Sequence, residues 1–207
     1  MRTEIINIAL VKTISNERLS KYLIEMNNDL DSSLALYEYN TRISEAFYIP
    51  LQSLEVCMRN ILNKCMSETY GHNWFQGDVP ELKYEQQNEI YDAYEELGGL
   101  ENTPNGAVIA KLKFAFWVGL IAPHYDATLW RKSLHKGFRA TTGKKRSEVH
   151  NRLNAIRRFR NRVAHHEPVF NKDLKTIHDE IIEAISWMCK DTSAWTKHMS
   201  RVPSIIV

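Results

Sequence analysis

From Asp31 to Tyr70 the chain runs forty residues without a glycine, and Leu34, Tyr37, Ile43, Phe47, Leu51, Leu54, Met58, Ile61, Leu62 and Met66 recur along it at largely helical intervals. That pattern marks one buried face of a long helix. Asp31 suits its N-cap, and Tyr70-Gly71 is a fitting stop. Pro50 alone interrupts it and should kink the helix or divide it in two. Turn formers are scarce elsewhere too, with 8 Gly and 6 Pro in 207 residues, whereas all-β folds need many turns. An all-α fold follows.

The remaining pattern agrees. Ser15 precedes a helical stretch with Leu19, Tyr22, Leu23 and Met26. Residues 72–80 are a loop, and an amphipathic helix covers about 82–97, closed by Gly98-Gly99. The most apolar helix is expected over 107–121, ended by Pro123, with another near 126–138 and then the polar turn ATTGKKRS. A helix over 147–165 carries arginines away from its apolar stripe, and Pro168 biases Glu167 against continuing it. The last long helix covers 173–190. The whole chain, 1–207, reads as a single domain, with 1–14 as an N-terminal segment and 194–207 as a C-terminal tail.

Composition excludes several classes. With 43% hydrophobic and 25% charged residues the chain is neither disordered nor fibrous. Its longest apolar run, Phe114 to Ala122, is about half the roughly 20 residues a membrane span requires. No small-residue cleavage site follows the N-terminus, so a secretory signal is not expected. Cys57, Cys65 and Cys189 form no CxxC and read as reduced thiols of a cytoplasmic protein. No metal-ligand spacing links the histidines, and no phosphate-binding glycine loop occurs; neither cofactor nor metal is expected.

Charge is concentrated. Between Arg131 and His166 twelve Lys/Arg face a single acid, Glu148, a net of +11 in a chain whose total is +2. Such clustering points to a polyanion, most often nucleic acid; the plainer reading is a basic helix face paired with acids elsewhere in the fold. Within this stretch lies RRFRNRVAHHEP, residues 157–168, containing Arg160, Asn161 and His165 in an R-N-x-x-x-H pattern. Asn161 and His165 are four apart on a helix, so the amide could hold the imidazole. Histidine moves protons near neutrality, and the arginine fork holds phosphate, so the set suits phosphodiester cleavage. Alone the pattern is weak, and a basic helix end matches it by chance.

Further motifs stand in order along the chain: Leu54-Glu55 with Arg59-Asn60, Tyr70-Gly71 with Trp74, Phe114-x-Phe116-Trp117 with Leu120, then Trp130 and Asp173-Leu174. Together with RFRNRVAHHEPV they resemble the Abi-like, or abortive-infection, family of the HEPN superfamily, over about residues 34–187. The resemblance implies a HEPN-type helical bundle with additional N-terminal and C-terminal helices. It also implies a homodimer that brings two R-x4-6-H motifs into one cleft, and metal-independent endoribonuclease activity in phage defence or as a toxin. An antitoxin or a non-coding RNA is the kind of regulator that goes with such a protein.

Carried over, Arg160, Asn161 and His165 are the catalytic set. Glu55, Arg59, Asn60 and His166 are the supporting residues. Arg139, Lys144, Lys145, Arg146, Arg157, Arg158 and Arg162 are the RNA contacts. Arg160 with His166, or Arg158 with His165, also satisfies the motif, and Glu167 stands where some relatives have tyrosine. Glu55 and Arg59, four apart, could equally form a helix salt bridge, and Phe114, Phe116, Trp117 and Trp130 read as core. Two other readings remain at this point: a HEPN-type module that binds RNA without cutting it, and a helical DNA-binding regulator.

Overall fold

The computed structural model describes residues 2–77, 79–99, 103–140 and 143–206. Among them every regular element is helical, without strands, as the sequence requires. The segment before Ser15 is itself a helix, α1 (Glu4–Ile14), capped by the Thr3 hydroxyl. Ser15, at φ 81, ends α1 and caps α2 (Asn16–Glu25) by accepting the Arg18 N–H.

The helix α3 (Leu30–Tyr70) spans 41 residues, and its N-cap is Asp29 rather than Asp31. It is not divided at Pro50. Proline in a helix interior costs about 3 kcal/mol or more, but here Pro50 is buried and α3 is flanked along its length by α2, α8 and α9. Tertiary burial outweighs the lost hydrogen bond. Leu54, Met58, Leu62 and Met66 are fully buried on its inner face.

After α4 (Tyr84–Glu96), the apolar stretch expected as one helix is two: α5 (Asn105–Lys111) and α6 (Phe114–Gly119). Leu112 and Lys113 between them are extended, with ψ 128 and 158. The break turns Lys111 and Lys113 outward and lets Val108, Leu112, Phe116 and Trp117 all reach the core. The helix expected near 126–138 is instead a π turn (Asp126–Trp130) and a 3₁₀ turn (Leu134–Phe138), after another 3₁₀ turn at Pro123–Tyr125. This segment is pressed against α3. Ser133 donates to the Cys65 carbonyl at 2.7 Å, and a β-carbon on Gly137 would stand 2.8 Å from Ile61. Thr141 and Thr142 of the expected polar turn lie outside the described residues.

The helices α7 (Arg146–Ala164) and α8 (Leu174–Met188) match their predicted ranges closely, with Asp173 capping α8. The expected C-terminal tail carries most of α9 (Lys190–Met199) and α10 (Val202–Ile205). The aromatic motif residues are core, as read. Trp74 meets Phe116 and Trp117 with ring centroids 6.4 and 6.1 Å apart, and Phe114 and Trp130 are buried nearby.

Candidate functional site

The arginine-rich helix α7 ends in a Schellman cap. The N–H of Glu167 donates to the Arg162 carbonyl at 2.8 Å, and that of His166 to the Val163 carbonyl at 3.1 Å. His166 takes the left-handed position, φ 56, which usually falls to glycine and costs a residue with a β-carbon roughly 1–2 kcal/mol.

Three side chains hold this turn. Arg18 of α2 donates Nη1 to the carbonyls of His166 (2.9 Å) and His165 (3.3 Å). Arg162 donates to the Pro168 carbonyl (2.7 Å) and pairs with Glu167 (3.2 Å). The buried Asn40 of α3 accepts the N–H groups of Val169 (2.7 Å) and Phe170 (3.2 Å). Strain persists where its surroundings over-determine it, and such positions gather at functional sites.

The turn forms one end of a groove of about 640 Å³ between α7 and α3. Arg160, Val163, Ala164 and His166 line it from α7; Thr41, Ser44, Glu45, Tyr48, Gln52, Glu55 and Arg59 are among its lining from α3. Arg160 Nε lies 3.6 Å from the Glu55 carboxylate, which leaves its terminal nitrogens for another ligand. Glu55 therefore serves Arg160 across the groove and not Arg59 along its own helix. Arg59 instead donates to the Ala110 carbonyl (3.3 Å) and the Asn60 side chain (3.4 Å).

The residues marked from sequence divide accordingly. Arg160, Glu55, Arg59 and His166 share the groove. His165 is exposed on the cap and is not part of the groove wall, and Asn161 meets it through the backbone, His165 N–H to Asn161 carbonyl at 2.9 Å. Asn60 faces a separate groove. To the acids that neighbour the motif along the chain, Glu148 and Glu167, the fold adds Glu45 from α3 and seats the expected Glu55 beside it. Glu45 is engaged by Arg201 at 2.6 Å.

Tyr48, Asn40 and Arg18 were not marked. Tyr48 had a signal: Thr41, Ser44, Tyr48, Gln52, Glu55 and Arg59 recur at helical spacing as a second, mostly polar stripe on α3. Arg18 had none, since 148 residues separate it from His166.

Much of the basic segment is neutralised within the chain. Lys144 pairs with Glu148 (2.8 Å) and lies over the Trp187 ring. Arg146 binds Asp126 (3.3 Å) and the Ile121 carbonyl (2.9 Å), and Arg152 binds Glu180 and Glu183. Arg162 is committed to the cap. Arg157 donates to the Asn154 side chain at 3.0 Å. Among the described residues of this segment Lys132, Lys136, Arg139, Lys145 and Arg158 are exposed cations outside any ion pair, and they carry the outward charge. No three His, Cys, Asp or Glu among the described residues gather as a metal-binding group, and no helix there is long and apolar enough to cross a membrane.

The family described as Abi-like protein matches residues 9–171, a span that includes α3, the groove and the α7 cap. No curated protein and no solved structure matches the chain.

Proposed function

This chain belongs to the Abi-like protein family, and from that premise we propose that it is a metal-independent endoribonuclease of the HEPN type, acting as an abortive-infection defence protein or toxin. The observation that carries the reading is that Arg160, oriented by Glu55, and His166, held in a strained turn, line one groove. An RNA 2′-hydroxyl is its own nucleophile, so the protein must supply proton transfer and charge stabilisation. The terminal nitrogens of Arg160 hold the scissile phosphate. The 2′-oxygen attacks phosphorus, the bond to the 5′-oxygen breaks, and a 2′,3′-cyclic phosphate remains. His166 is the imidazole on the groove wall, so it moves the proton at the 2′-hydroxyl or the leaving oxygen.

One imidazole cannot be base and acid at once. Two copies joined at their exposed α7 ends would supply the second, with His165, outward on the same cap, facing the partner. A homodimer follows as the working form.

The test is purified protein on mixed RNAs, with and without EDTA. Cleavage that survives EDTA, yields cyclic phosphate ends and fails on RNA with a 2′-deoxy sugar at the cut site is expected. Binding of RNA without any cutting would make the protein a silent RNA-binding module. Cleavage of the deoxy substrate, or its loss in EDTA, would overturn the chemistry.

A further inference from the structure

On the other side of Gln52 and Val56, α3 and α9 enclose a second groove of about 560 Å³. Its walls are mainly apolar, with Ile49, Ile61 and Met199, and Trp195 stands at 60% exposure on its rim. Two of the chain's three cysteines line it, Cys57 from α3 and Cys189 from the start of α9. The third, Cys65, is buried further along α3 and lies outside this groove.

The two thiols have opposite surroundings. Cys189 is the N-cap of the ten-residue α9, and its Sγ accepts the Thr192 N–H at 3.5 Å. Hydrogen bonding from the Thr192 side chain and then its backbone N–H favours the thiolate and lowers its pKa. Cys57 sits between apolar side chains, and burial, with the neighbouring Cys189, pushes its thiol up to about 11. One sulfur is therefore a partly exposed nucleophile at a helix start. The other is a protonated thiol lining the same groove.

We propose that Cys189 and Cys57 are a peroxide-sensitive dithiol that closes to an intramolecular disulfide, tying α3 to α9. The Cys189 thiolate attacks hydrogen peroxide; an S–O bond forms, the O–O bond breaks, and the departing hydroxide leaves as water. The Cys57 sulfur then attacks the sulfenic sulfur; the S–S bond forms, the S–O bond breaks, and the hydroxyl leaves as water with the Cys57 proton. Two thiols lose two electrons and two protons to one peroxide, giving two waters. A dithiol reductant reverses the change. The cross-link falls two residues from Glu55, on the stretch of α3 shared by both grooves. The chemistry itself does not depend on what the other groove cleaves.

Full-length protein, folded and treated with one equivalent of hydrogen peroxide, tests this. Free thiols counted after denaturation should fall from three to one, with loss of two hydrogens in intact mass and a Cys57–Cys189 peptide restored by dithiothreitol. Cys189→Ser should keep its two remaining thiols, and Cys57→Ser should stop at a sulfenic acid trapped by dimedone. Cys65→Ser should close the disulfide as the natural chain does. A disulfide between chains, one that includes Cys65, or three thiols surviving the treatment would overturn the proposal.

Discussion

The Glu55 carboxylate stands 3.6 Å from Arg160 Nε, so a residue midway along α3 fixes the direction of a guanidinium near the end of α7. Both side chains remain partly exposed, 29% and 40%. An ion pair in that setting is worth about 0–1 kcal/mol to folding. Its consequence is orientation more than stability.

Glu55→Gln should therefore leave thermal unfolding nearly unchanged while lowering single-turnover RNA cleavage by about 10- to 100-fold, the scale of a misplaced catalytic group. Arg160→Ala should lose about 10²–10³-fold, as expected when a charge-stabilising donor is removed. Equal, unchanged rates in both variants would remove Arg160 from the chemistry.

His166 separates stability from function. Its φ of 56 is easy for glycine, so His166→Gly should raise stability by about 0.5–1 kcal/mol. The same substitution should cut cleavage by roughly 10²–10⁴. Denaturant unfolding and a cleavage assay on one preparation check both signs. If His165→Ala abolishes cleavage and His166→Gly does not, the working imidazole is the outward one, in a cleft between two copies.

The exposed and the committed cations should behave differently toward RNA. Lys145→Ala and Arg158→Ala should each reduce the slope of log affinity against log salt by about 0.7. Arg146→Ala should change that slope little, and should cost about 1–3 kcal/mol of stability through its lost contacts to Asp126 and the Ile121 carbonyl. Equal slope losses in all three variants would contradict the ion pairing described for Arg146.

The helices that could be read from sequence are those with one apolar face, α3, α7 and α8, because burial on one side leaves a periodic trace. Residues 107–121 misled for the opposite reason: apart from Lys111 and Lys113 they are almost wholly apolar, and they gave no single face from which to place the break at Leu112. The segment 190–199, KDTSAWTKHM, is polar enough to hide a helix held by packing on α3 and α8. At the site, Arg160 and Glu55 were each legible in local motifs, but their pairing joins distant parts of the chain. The placement of His166 rather than His165 on the groove depends on a left-handed residue where no glycine announces one. Asn40 and Arg18 act on backbone carbonyls and amides, contacts that carry no sequence signature.

A last expectation concerns acid. His178 in α8 is 3% exposed; its Nε2 lies 2.9 Å from Ser200 Oγ, and its ring meets Phe47 at 6.4 Å. Burial lowers its pKa from the ordinary 6.5. Asp179, 3.6 Å from Nδ1, pulls the other way, but it is 62% exposed and screened by water, while Lys197 adds to the lowering. The unfolded chain takes up a proton near pH 6.5, where the folded chain still resists it. Stability from neutral His178 is therefore complete above that pH and lost as pH falls below it, down through the lowered folded value. His150, also shifted down by burial and by Arg146, contributes with the same sign. His178→Gln keeps a nitrogen for Ser200 and has no titration, so its loss of unfolding temperature between about pH 7.5 and 5.5 should be smaller than that of the natural chain. An equal loss in both proteins would mean that His178 does not set the acid sensitivity.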